Sequence, residues 1–303
     1  MYKSITKSIA VSRFKLFLKK TDRFGRPKRL KIKTNKMENL KDKVAVVFAA
    51  SGEIAGTVAR AFAQHGAKVY VTAINLNVVE VLAKEINAAG GRAEAGKVDA
   101  LNETEIDSYL QKVVAENGKL DMVFNGIGSY YKDAGSGTPT TLATFEQFLN
   151  PLQRICGSQF LTSRVAARYM IESKSEGTIL LFNASMAKTK TPNMAGFAAA
   201  CAAIEGLTRV MAAEFGQHGI KAICISSGAL LETGKIQGMI SDFSEYAGIS
   251  REQMTANYTR FDILKSGPTL KQLGETAAFL VSENGVAFNS HIVDFDCGKL
   301  NVL

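Results

Sequence analysis

GTILLFNASMAKTKTPNMAGFAAACAAIEGLTRVMAAEFGQHGIKAICIS, residues 177–226, is the stretch whose reading decides the fold. Thr178–Phe182 is a short apolar run of the kind that forms a strand buried on both faces. A polar loop leads into a long helical stretch rich in small residues, and that into a second apolar run, Lys221–Ile225. Strand, helix and strand in this order predict neighbouring strands of a parallel sheet.

The same alternation extends outward. Towards the N-terminus, strands are expected at Val44–Phe48, Lys68–Thr72, Ala93–Val98 and Met122–Asn125. Helices are expected at about Ile54–His65, Val78–Ala89, Glu103–Glu116 and Phe145–Glu172. Towards the C-terminus, residues 228–262 read as an irregular insertion with helical pieces, followed by a helix near Leu270–Ser282 and a strand at Ile292–Phe295. The pattern predicts an α/β fold, a Rossmann-like doubly wound parallel sheet in three layers, α/β/α. At 303 residues and 46% hydrophobic, one such domain over 37–303 can bury a full core.

The net charge of +9 is unevenly placed. Residues 1–36 carry thirteen Lys and Arg against Asp22 alone, a net +12 that leaves the remainder at −3. The basicity therefore belongs to an N-terminal arm, and a nucleic-acid partner for the domain loses its main support. The arm reads as a disordered tail, or as residues upstream of a true start at Met37. A membrane-surface segment or a transit peptide are the alternatives. Cys156, Cys201, Cys224 and Cys297 are scattered without a CxxC, which suggests neither disulfides nor zinc and fits a reducing, cytoplasmic setting. His65, His218 and His291 are isolated, so no metal or triad is expected. No uninterrupted apolar run reaches the length of a membrane span.

In spacing and residue type, 177–226 resembles the core of the short-chain dehydrogenase/reductase family. Further marks are Glu205-Gly206-Leu207-Thr208-Arg209, Gly219-Ile220-Lys221, Asn125-Gly126-Ile127-Gly128 for the family's NNAG, and Asp296-Cys297-Gly298 for its DGG. The resemblance covers Met37 to the C-terminus. It implies hydride transfer between a nicotinamide and a carbonyl or alcohol carbon, with a serine holding the substrate oxygen and a Tyr-x-x-x-Lys pair as acid/base. Ala184, Phe197 and Cys201 stand at those positions, supplying no hydroxyl, no titratable phenol and no permanent cation. The family's assisting asparagine falls near Leu152 or Ile155, where Pro151 suggests a local insertion.

The resemblance also locates the nucleotide turn. The family's TGxxxGxG aligns with Phe48-Ala49-Ala50-Ser51-Gly52-Glu53-Ile54-Ala55, so Ala49, Glu53 and Ala55 replace the three glycines. Gly52 and Gly56 lie one place off and could serve a shifted turn. A carboxylate about 4 Å from a phosphate, at an effective dielectric of about 20, is opposed by about 4 kcal/mol, or about a thousandfold in affinity. Glu53 also suits the positive end of its own helix, and so could fill the anion's niche itself. The cofactor-contacting positions implied are Ser51, Gly52, Ile54, Asp99, Ala100, Asn125, Gly126, Gly128 and Gly228. Ala73 and Ile74 favour neither NAD nor NADP, and Asp99 has an alternative as a turn cap.

Tyr130, Tyr131 and Lys188 are the candidates for a relocated acid/base, against a plainer role as loop surface. Cys201 has its own plainer reading as a small packing residue, and Ser185 is expected to face away from Ala184. The expected function is a divergent or weakly active NAD(P)-dependent oxidoreductase of a small carbonyl or alcohol substrate. The alternative is a non-catalytic binding or scaffolding subunit, either a homo-oligomer or paired with an active homologue. An enzyme that makes no use of nicotinamide, such as a lyase or isomerase, is a third possibility.

Overall fold

The computed structural model describes residues 40–260, 262–264 and 267–298. Expectations for the arm 1–36 lie outside these residues. Seven parallel strands form the sheet: β1 (Val44–Phe48), β2 (Lys68–Ala73), β3 (Arg92–Lys97), β4 (Met122–Asn125), β5 (Gly177–Ala184), β6 (Ile220–Ser227) and β7 (Ile292–Phe295). Their spatial order is β3-β2-β1-β4-β5-β6-β7. Val46 of β1 pairs with Tyr70 on one side and Val123 on the other. The chain leaves β1 and β4 in opposite directions along the sheet, and the crevice at their carboxyl ends is where such folds bind ligands.

Side chains alternate across each strand, and the core divides accordingly. Ala45 and Val47 face a layer formed by α1 (Glu53–Gln64), α2 (Leu76–Ala88) and α9 (Leu270–Val281), through Val58, Phe62, Leu82 and Leu273. Val44, Val46 and Phe48 face α3 (Glu103–Asn117), α5 (Ser158–Glu172) and α6 (Ala195–Phe215), through Ile106, Leu110, Val165, Met170 and Ile204. The three-layer α/β/α sandwich is as expected.

Local signals set the helix starts. Asn75 and Asn102 accept backbone N–H groups at the beginnings of α2 and α3. Thr144 and Gln147 form a capping box that opens α4 (Phe145–Pro151). The expected helix 145–172 is three pieces, with a π-helical turn at Leu152–Gly157 between α4 and α5. A π turn accommodates an extra residue, which is what Pro151 suggested. Gly196 lies where a Cβ would come within 2.6 Å of the Phe148 carbonyl oxygen, so α6 can approach α4 only with glycine there.

The insertion at 228–262 is more regular than its sequence suggests. It contains α7 (Gly234–Ala247), capped by Thr233, and α8 (Arg251–Thr259), opened by a Ser250–Gln253 capping box. Gly248 between them adopts φ 64°, the left-handed conformation that ends α7. The stretch Ala195–His218 is long and apolar enough to cross a membrane by length and composition. In this fold it packs on the sheet as a core helix, with Ile204, Met211 and Ala212 buried.

Candidate active-site cleft

The turn after β1 shapes the floor of the crevice. Ala49 holds φ 56°, in the left-handed region that glycine normally fills. Ala50 N–H donates to the Thr72 carbonyl at 2.8 Å and Gly52 N–H to the Ala49 carbonyl at 3.1 Å, which fixes the turn. Gly52 itself is extended (φ −84°, ψ 151°), a conformation open to any residue. The idea of a turn shifted onto Gly52 and Gly56 is therefore corrected: the left-handed position stays at 49, with an alanine in it. Cys297 repeats this, holding φ 56° within Asp296-Cys297-Gly298.

Ala55 packs where a Cβ on Gly126 would come within 2.5 Å of its own Cβ, so Gly126 is required by packing. Ser51 is exposed, Ile54 packs on the core and Ala100 is buried. Asp99 accepts the Leu101 N–H at 2.9 Å, the turn-capping role. Asn125 accepts the Ile127 N–H and donates to Thr162 Oγ1, shaping the loop after β4. Gly228 N–H donates to the Phe295 carbonyl at 2.9 Å, so it ties β6 to β7. Ile74 is 61% exposed, and neither it nor Ala73 offers a carboxylate or guanidinium to a ribose.

Glu53 leans out of the first turn of α1 to the lid. Its Oε2 accepts the backbone N–H of Gly234 at 2.8 Å, the first residue of α7. One carboxylate thus sits at the positive ends of two helices.

The next lid residue, Lys235, reaches into the crevice. Its Nζ donates to the Ser129 carbonyl at 2.7 Å, lies 5.7 Å from the centre of the Phe197 ring, and is 3.6 Å from where a Gly128 Cβ would be. Lys235 is exposed as a residue, and its contact with Ser129 is partly buried. Burial of the head lowers its pKa, and the neighbouring Cys201 acts in the opposite sense. The sequence reading missed Lys235, because its contact with Ser129 spans 106 residues and no local pattern announces it.

On the facing wall, Phe197 is half-buried and Cys201 is 1% exposed. Burial pushes the Cys201 thiol up to about 11, and its carbonyl accepts from Asn183 Nδ2 at 3.0 Å. A thiol so poor in thiolate is a packing group. Ser185 turns away to the Ser226 carbonyl. Ser129 Oγ donates to Asn150 Oδ1 at 2.5 Å, a second contact that the sequence did not reveal.

The three proposed substitutes do not converge. Tyr131 donates to Asp242 on α7, which pushes its phenol up to about 12, and Lys132 pairs with the same carboxylate at 3.0 Å. Tyr130 is 52% exposed and lies against the Tyr131 ring. Lys188 pairs with Asp294 on β7. Among the described residues no group of His, Cys, Asp and Glu is placed to hold a metal. The lid thus brings two groups to the crevice, the Gly234 N–H on Glu53 and the Lys235 ammonium on the Ser129 carbonyl.

Comparison with known proteins gives a consistent picture. The family model described as Enoyl-(Acyl carrier protein) reductase matches residues 49–299. The chain is 26% identical to a (+)-cis,trans-nepetalactol synthase of Nepeta racemosa, over 87% of this chain and 93% of that protein. It is 30% identical to tropinone reductase-like 2 of Erythroxylum coca, over 81% and 86% respectively. Among solved structures, a 7α-hydroxysteroid dehydrogenase complexed with NADH and 7-oxoglycochenodeoxycholic acid superposes with a TM-score of 0.75. Its sequence identity is 25%, covering 88% of this chain and 98% of the other. With its seven-stranded doubly wound sheet and a family match over most of its length, the chain belongs to the short-chain dehydrogenase/reductase family.

Proposed function

We propose that this protein is a divergent oxidoreductase of the family, at most weakly active with NAD or NADP on a carbonyl or alcohol substrate. In this reading Ala184, Phe197 and Cys201 hold the serine, tyrosine and lysine places. The observation that carries it is the wall formed by Phe197 and Cys201, a ring without a hydroxyl beside a thiol held protonated by burial. The ring has no proton to exchange, and a thiol held protonated near neutral pH is a poor base for an alcohol. Lys235 lies over the Phe197 ring, and its hydrogen bond is to a backbone carbonyl. The relatives' names divide between reductases or dehydrogenases and a synthase, so membership alone does not assign redox chemistry.

A second reading, a non-catalytic subunit paired with itself or an active homologue, draws support from the outer face of α6. Ala202, Gly206, Val210 and Ala213 are exposed along one stripe, small enough for a second helix to approach closely. A cytoplasmic setting accords with four free cysteines. The test is turnover of a panel of ketones, aldehydes and alcohols by the full chain with each cofactor, alongside its mass by sedimentation. The first reading expects rates near background, and turnover of several per second would overturn it.

A further inference from the structure

We infer that the lid helix α7 occupies the dinucleotide's place from within, with the Glu53 carboxylate standing where a phosphate would bind and the Lys235 ammonium filling the inner crevice. This goes beyond the loss of acid/base groups and rests only on the assignment of the crevice.

Two successive lid residues make the closure, by different chemistry. Gly234 presents a backbone N–H to Glu53 Oε2 at 2.8 Å, and Lys235 sends its side chain past Gly128 to the Ser129 carbonyl. A backbone N–H at a helix start carries partial positive charge, and a carboxylate meets it as an anionic ligand would. The lysine head rests over the Phe197 ring, an attraction that strengthens as water is excluded. Farther along α7, Asp242 holds Tyr131 and Lys132 of the β4 loop, so the lid is pinned to the crevice at three points. At the base of the lid, Glu232 accepts the Leu270 N–H at 3.0 Å and ties the lid entrance to α9. A dinucleotide would have to break the first two contacts and would meet the Glu53 charge as well. A cleft without Glu53 and Lys235 would keep its walls and regain its opening.

The experiment compares full-length wild type with Glu53→Ala, Lys235→Ala and the double variant. Each is titrated calorimetrically with NADH, and amide hydrogen exchange is followed at Gly234 and the first turn of α7. Removing the carboxylate should speed exchange at Gly234 by about tenfold, the worth of a charge-assisted hydrogen bond. The double variant should bind NADH at least tenfold more tightly than wild type, with most of the gain already present in Glu53→Ala. The inference is overturned if the folded double variant binds no better than wild type, or if Gly234 exchange is indifferent to Glu53. Should the double variant not fold, Glu53→Gln, which keeps shape and loses charge, must show the gain in affinity. Micromolar NADH binding by a wild type that turns over no carbonyl would overturn this inference and leave the acid/base reading intact.

Discussion

Replacing Ala49 by glycine should stabilise the protein, and the size of the gain follows from its backbone. Ala49 sits at φ 56° between β1 and α1, half-buried, and is held there by the bonds of Ala50 to Thr72 and Gly52 to Ala49. An L-residue in the left-handed region crowds its Cβ against the carbonyl and costs about 1–2 kcal/mol, which glycine avoids. Glycine also enlarges the unfolded ensemble, costing about 0.4–1 kcal/mol. Little packing is lost with one half-exposed methyl, so the net gain is about 0.5–1 kcal/mol. For a domain of this size that raises Tm by about 1–4 °C, read by calorimetry or by circular dichroism at one scan rate. A Tm that falls would show that position 49 does not carry the left-handed turn.

Two other consequences can be checked with simple variants. Restoring the family groups by Ala184→Ser, Phe197→Tyr and Cys201→Lys should leave turnover near background, because Glu53 and Lys235 still fill the crevice; appreciable NAD(P)H-dependent reduction in that triple variant would contradict this. Lys221, donating to the Ser282 carbonyl at 2.7 Å, has its pKa lowered to about 8 chiefly by burial. Between about pH 8 and 10.5 the unfolded chain then binds more protons than the folded one, so this lysine's contribution to stability rises with pH. The Tm of wild type relative to Lys221→Leu should accordingly climb across that window, and a flat or falling difference would mean that the Ser282 contact outweighs desolvation.

Much of the sheet was legible because burial on two faces leaves plain apolar runs, as in Val44–Phe48 and Thr178–Phe182. The ends were less so. β5 and β6 continue through Asn183 and Ser226, polar residues drawn into the ladder by pairing with each other. The lid looked irregular because α8, opened by Ser250, is a short polar helix that buries none of its residues. In the cleft, the resemblance drew attention to 184, 197 and 201, where Ala, Phe and Cys carry neither hydroxyl nor ammonium. It could not expose what fills the space. The contacts of Glu53 with Gly234 and of Lys235 with Ser129 join residues more than a hundred positions apart, and only the fold brings them together. Glu53 lies in the first turn of its helix, and its carboxylate is bound by the lid.

Titration of the full-length wild type with NADH and NADPH by calorimetry tests the central claim most directly. The closed, carboxylate-filled crevice predicts no saturable heat at cofactor concentrations up to about 1 mM, weaker than about −4 kcal/mol. Micromolar binding of either cofactor would show that the crevice opens to a dinucleotide, and would contradict the account.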